Sequence, residues 1–198
     1  MSSNNKEIHM SKPLNIVAVS GGAYRPSRTL VLAEAILGEL AERLQVPATT
    51  RLIELSDIAR PLGGALARNE LPEAVEEQLR AIENADLLVV ASPVYRGSYP
   101  GLLKHLFDLV GMEALVDTPV LLAATGGSPL HALVIDHQLR PLFSFFQSLT
   151  LPIGVYATEA DFRDYQIASE PLKARIRLAA ERAVPLLGDS HAELRKIA

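Results

Sequence analysis

Cysteine is missing from all 198 residues. That absence removes disulfides, thiolate metal sites, iron–sulfur clusters and a cysteine nucleophile together, so redox chemistry on this chain rests on a borrowed cofactor. A basic excess is missing as well. The chain carries 19 Lys and Arg against 23 Asp and Glu, a formal net charge of −4, whereas a dedicated nucleic-acid binder needs a basic face to neutralise phosphates. No apolar run approaches the ~18–20 residues that a membrane span requires. The histidines (His9, His105, His131, His137 and His191) show no metal-ligand spacing. Residues 1–13 are rich in Ser and Asn and lack both an apolar stretch and a small-residue cleavage site, so they do not read as a secretory signal. No internal repeat or low-complexity tract follows. The expected organisation is a disordered lead-in over 1–13, one cytoplasmic domain over 14–188 and a short tail over 189–198.

What is present suits a packed core: 48% of residues are hydrophobic and 21% charged. Strand patterns at Leu14–Ser20, Thr49–Leu55, Asp86–Ser92, Thr118–Thr125 and Leu151–Ala157 alternate with helical patterns at Arg28–Leu44, Pro72–Asn84, Pro100–Gly111, Leu130–Ser148 and Glu170–Leu187. This alternation predicts an α/β fold with a five-stranded parallel sheet and helices on both faces. The runs LLVVAS and PVLLAA are nearly all apolar, as strands covered on both faces are. A barrel of eight units needs ~250 residues, so an open three-layer sheet is expected. Ser56–Leu71 lacks periodicity and reads as a long, mobile surface loop.

Ligands of open parallel sheets bind outside the C-terminal ends of the strands, so three loops carry the functional argument. The first runs Ser20-Gly-Gly-Ala-Tyr-Arg-Pro-Ser-Arg-Thr29 into a helix start, where free N–H groups and the helix dipole favour an anion. Gly21 and Gly22 allow close backbone approach, Ser27 and Thr29 add hydroxyls, and Arg25 and Arg28 add charge. It is a phosphate cradle without the dinucleotide fingerprint or the P-loop ending. The bland alternative is a plain turn capped by Ser27. The second loop, Ser92-Pro-Val-Tyr-Arg-Gly-Ser-Tyr-Pro-Gly101, offers stiff prolines, flat tyrosines and glycines to a planar ring, or is a turn leading into a helix. The third, Thr125-Gly-Gly-Ser-Pro-Leu-His131, again brings backbone close to a ligand. His131 either points at that ring or caps the next helix.

Together these loops resemble the flavodoxin-like NAD(P)H-dependent FMN reductases. The second loop is the most specific part. It looks like the reductases that supply reduced flavin to two-component alkanesulfonate monooxygenases. Gly21–Thr29 and Asp136-His-Gln-Leu-Arg-Pro141 bring the chain nearest to the methanesulfonate (MsuE-type) branch. The resemblance covers about Leu14–Leu187 and implies FMN and NADH or NADPH as substrates, with NADH favoured. It implies FMN contacts from Ser20, Gly22, Arg25, Ser27, Arg28 and Thr29 at the phosphate. Pro93, Val94, Tyr95, Arg96 and Gly97 are implied along the isoalloxazine, with Thr125, Gly126, Gly127, Ser128 and His131 completing its pocket. Many relatives have Gly-Ser-Pro-Arg where this chain has Gly21-Gly22-Ala23-Tyr24, which leaves Arg25 as the substitute donor. Hydride passes directly between stacked cofactors, so no catalytic acid or base is named. A flavin-retaining quinone, azo or metal-oxyanion reductase, or a flavodoxin-like electron carrier, are the alternatives. Arg60 and Arg68, on the 56–71 segment, either meet the nucleotide pyrophosphate or are plain surface charges.

The 130–148 helix pattern is apolar on more than one face, through Leu133, Val134, Ile135, Leu139, Leu142, Phe143, Phe145 and Phe146. A helix apolar all round is buried on two sides, so a subunit interface is expected there, a homodimer or homotetramer. Pro141 inside it clashes with the carbonyl of His137, predicting a kink or a π-bulge. The resemblance implies an inserted residue at His137 that loosens FMN binding, and an FMN-dependent monooxygenase as partner.

Overall fold

The strand patterns become one parallel sheet in a computed structural model, which describes residues 13–187. The expected tail, and all of the expected lead-in except Pro13, lie outside the described residues. The sheet contains β1 (Leu14–Ser20), β2 (Ala48–Glu54), β3 (Leu87–Pro93), β4 (Pro119–Gly126), β5 (Leu149–Thr150) and β6 (Val155–Thr158). Its order is β2-β1-β3-β4-β5, with β6 also pairing β4, so β5 and β6 are two pieces of one fifth strand. That is the flavodoxin-like order.

Side chains alternate across the strands, and each face builds its own core. Ile16, Ala18, Leu87, Val89, Ala91, Leu121 and Ala123 face α1 (Arg28–Arg43) and α6 (Glu170–Ala183), which pack side by side. Val17, Val19, Leu88, Val90, Val120, Leu122 and Ala124 face α2 (Leu55–Gly64), α3 (Glu73–Glu83), α4 (Gly101–Asp108) and α5 (Arg140–Phe145). On this second face the buried rings of Phe107 and Phe143 meet edge-to-face, centroids 4.9 Å apart, and fasten α5 to α4.

Three expectations need correction. Residues 56–71 are not a long mobile loop: α2 occupies 55–64 and a 3-10 turn follows at Arg68–Glu70. Leu55, Ile58 and Leu62 give α2 a buried stripe. The sequence hid it because Pro61, Gly63 and Gly64 read as loop residues. His105 from α4 satisfies the helix end, its Nε2 lying 3.0 Å from the Leu62 carbonyl and 2.8 Å from that of Ala65. The 130–148 pattern is not one helix. It breaks into a 3-10 turn (Pro129–His131), a π-helix (Ile135–Leu139) with His137 at its centre, and the short α5 with Pro141 in its first turn. The fifth strand is interrupted at 151–154, where Pro152 lies. There Arg140 donates to the Leu151 carbonyl at 3.0 Å and Arg175 to the Gly154 carbonyl at 2.8 Å.

Arg68 is committed to the scaffold rather than to a nucleotide. Its guanidinium forks onto Glu76 (2.8 and 3.0 Å) and Glu83 (2.5 and 2.9 Å) of α3, and Glu83 also accepts from Gly111 N–H at 2.9 Å. Arg60 is exposed. Replacing Arg68 with alanine leaves two facing carboxylates and is expected to cost about 1–3 kcal/mol in denaturant unfolding. The bond from Arg68 holds the Glu76 carboxyl below its usual range. A folded pKa below the unfolded one stabilises the protein above the ordinary carboxylate range and is lost as pH falls through the depressed value. The Arg68 variant should therefore show a shallower loss of stability on acidification than the parent. An equal slope would remove this role.

Candidate active site

In a 2-1-3 strand order the chain reverses direction between β1 and β3, leaving a crevice beyond their C-terminal ends. A cleft of about 280 Å³ opens there, walled by the loops after β1, β3, β4 and β6. Most of the residues anticipated from the sequence meet in it: Gly22, Ser27, Arg28, Thr29, Pro93, Val94, Tyr95, Thr125, Gly126 and Gly127.

One end of the cleft is built for an anion. Ser27 caps α1, its Oγ accepting from Leu30 N–H at 3.2 Å. The first turn of this helix contains no acidic residue, so no carboxylate of its own offsets its remaining free N–H groups and positive dipole end. Arg28 adds a guanidinium. Thr29 is buried, and its Oγ1 lies 2.6 Å from Oγ1 of Thr125, joining the α1 start to the end of β4. A Cβ at Gly22 would stand 3.0 Å from Ser27 Oγ and press on the cap. Arg25 does not join them. It is not in the cleft lining and pairs with Glu54 at 2.6 Å and Asp57 at 3.1 Å. Ser20 is buried beneath the cleft rather than lining it.

The other end is flat and uncharged. Val94 N–H donates to the Thr125 carbonyl at 2.8 Å, which locks the β3 loop to the end of β4. Tyr95 and Ser98 close a tight turn on each other (2.7 and 3.2 Å), with Arg96 and Gly97 both left-handed at φ 52° and 82°. Positive φ at both central residues is the type I′ pattern, and Gly97 meets it without strain. Arg96 lines a depression adjoining the cleft with Val94 and Tyr95, and Gly97 lines neither. Ser98 Oγ donates to Gln138 Oε1 at 3.0 Å, so this loop touches the π-helix.

The third loop is tied down from behind. Tyr156 donates its hydroxyl to the Ser128 carbonyl at 2.6 Å, and burial pushes its pKa up, keeping the proton on the donor. Its oxygen occupies the space a side chain at Gly126 would need, 2.2 Å from a Cβ there. Gly127 has open space in front of it. Ser128 is turned away to cap the following turn, accepting from Leu130 N–H at 3.2 Å, and His131 is exposed outside the cleft.

Tyr24, Pro26, Thr158 and Glu159 also line the cleft, and sequence reasoning missed them. Thr158 ends the fifth strand and Glu159 follows it, so the same rule that selected the other loops applies to them. Just beyond, β7 (Phe162–Arg163) and β8 (Gln166–Ile167) form a hairpin that was not anticipated. It carries Tyr165 to within 5.3 Å of the Arg28 guanidinium carbon, over the ring. Glu159 takes Arg28 from another side, at 2.7 Å.

A cleft with an anion-binding helix start at one end and a flat, glycine-lined wall at the other fits a phosphorylated planar heterocycle such as FMN. The family profile described as NADPH-dependent FMN reductase matches residues 14–162. The NADH-dependent FMN reductase SfnF of Pseudomonas fluorescens (strain Pf0-1) is 72% identical over 189 residues, 96% of this chain and 100% of the relative. The FMN reductase (NADPH) of Pseudomonas aeruginosa is 69% identical over the same shares. Among solved structures, the apo form of the NADH:FMN oxidoreductase EMOB matches with a TM-score of 0.76 at 31% identity, covering 88% of this chain and 90% of that one. The chain is an FMN reductase, a member of the NADPH-dependent FMN reductase family.

Proposed function

We propose that the protein reduces FMN with NADH in preference to NADPH, and releases reduced FMN to a partner monooxygenase of alkanesulfonate or methanesulfonate breakdown. The observation that carries this is the two-ended cleft across β1, β3 and β4. When both substrates are bound, nicotinamide C4 supplies a hydride to flavin N5, and the pair needs no side-chain acid or base. The chain's work is positional. Ser27, Arg28 and the α1 start hold the phosphate, Thr29 and Thr125 fix the floor, and Pro93, Val94, Tyr95, Gly126 and Gly127 form the wall for the ring. The sulfonate role rests on the likeness of the 21–29, 92–101 and 136–141 segments to the methanesulfonate branch, and the preference for NADH is supported by the NADH-dependent relative at 72% identity. A working place in the cytoplasm follows from the need for reduced pyridine nucleotide; among the described residues no helix is long and apolar enough to cross a membrane. The test is oxidation of NADH and NADPH with and without added FMN. Colourless protein whose NADH oxidation depends on added FMN is expected. Yellow protein that reduces a second acceptor by ping-pong kinetics would favour a flavin-retaining reductase instead.

Self-assembly through the α4, π-helix and α5 face is part of this reading. Phe143 and Phe146 are buried in the core, while Phe145 and Leu133 of the same segment are 63% and 59% exposed. Apolar surface of that kind suits a homodimer or homotetramer. Deleting His137 is expected to return the π segment to α register, change the mass seen by light scattering and give a yellow, flavin-retaining protein. A colourless variant of unchanged mass and FMN turnover would sink this assignment.

A further inference from the structure

Glu159 is out of character in a site that receives an anion. Its carboxylate stands in the cleft wall and holds the guanidinium of Arg28, the cation at the start of α1, at 2.7 Å. A phosphate arriving there must take Arg28 from a carboxylate and then lie beside that like charge. The local backbone does not need an acid at this position. The turn is capped by its neighbours, with Thr158 N–H and Oγ1 donating to Asp161 Oδ2 at 2.7 and 2.8 Å. Nor is the pair a stability device: the Glu159 side chain is 61% exposed, and exposed pairs contribute little. Arg28 also rests on Tyr165, so it remains at the helix start when Glu159 lets go.

We propose that Glu159 is a built-in competitor for the flavin phosphate, lowering FMN affinity and narrowing the preference for FMN over riboflavin. The inference rests on placing the FMN phosphate at the start of α1. With Glu159 ionised, the side-chain pair at the phosphate end is neutral overall; without it, one uncompensated positive charge remains. The competitor adds no contact to the ring, so its effect is confined to phosphorylated flavins. A weakened hold on the phosphate shortens residence, which suits an enzyme whose reduced flavin must leave.

The experiment is flavin-fluorescence titration of the parent and Glu159→Gln with FMN and with riboflavin, at low and high salt. The variant is expected to bind FMN ~2–5-fold more tightly, the range of an exposed charge interaction, with riboflavin unchanged. Its FMN affinity should also fall more steeply with salt, because the site has gained net positive charge. A parent that prefers FMN, paired with a variant of unchanged or weaker FMN binding, overturns this inference alone. A parent and a variant that both bind FMN no better than riboflavin overturn the phosphate placement and this inference together.

Discussion

Changing Ser27 and Arg28 together to alanine is expected to weaken FMN binding by about 10–100-fold while leaving riboflavin almost unaffected. Hydrogen bonds to a charged group are lost, at about 1.5–3 kcal/mol. Two further effects act in the same direction. Without Arg28 the Glu159 carboxylate loses its partner at 2.7 Å and faces the phosphate directly. Without Ser27 the start of α1 loses the bond from Leu30 N–H, at about 1 kcal/mol of helix stability. The buried stripe of Leu32, Ala33, Ile36 and Leu40 still holds the helix on the sheet. Turnover at saturating FMN should fall less than affinity, because neither residue lines the ring end. Equal losses for FMN and riboflavin would remove the phosphate assignment.

Gly126→Ala should be at least as damaging, by steric conflict rather than lost charge. The new Cβ would lie 2.2 Å from the Tyr156 hydroxyl and 3.2 Å from its Cζ. Tyr156 must then move and give up its 2.6 Å bond to the Ser128 carbonyl. Overpacking typically costs about 1–3 kcal/mol and a lost hydrogen bond about 1. A drop of about 2–4 kcal/mol in unfolding free energy is expected, with FMN binding weakened more than ~10-fold as the third loop shifts. Tyr156→Phe alone should cost about 1 kcal/mol. The pair Gly126→Ala with Tyr156→Phe should be milder than Gly126→Ala by itself, since removing the hydroxyl opens the space. Strict additivity of the two changes would show that they do not meet.

The sequence was most legible where one physical signal dominated. LLVVAS and PVLLAA are apolar on both faces and became the central strands β3 and β4, fully buried over most of their length. The loops after β1 and β4 were legible through glycines at the strand ends, and the loop after β3 through its prolines, tyrosines and glycines. The fourth loop has none: Thr-Glu-Ala-Asp reads as an ordinary cap, so Thr158 and Glu159 passed unnoticed. The β7–β8 hairpin turns on Asp164 and Tyr165, both at positive φ, without the Asn-Gly or Asp-Gly that marks such turns. Arg25 misled for a different reason. Sequence shows that a charge exists but not which way it points, and its partners Glu54 and Asp57 lie 29 and 32 residues away. For Arg68 the sequence left a nucleotide contact and a plain surface charge both open, and the fold instead sets it against two carboxylates of α3.

The broken fifth strand has a consequence for how this sheet would meet another. An outer strand presents unpaired N–H and C=O groups that can template a neighbour and seed aggregation. Here that edge is cut into pieces of two and four residues. Between them Pro152 has no N–H to offer, and arginine side chains hold the Leu151 and Gly154 carbonyls. No long ladder is left on that side for a second sheet to extend. Growth by strand addition is thereby blunted at that edge, where two short pieces and a proline offer no continuous template.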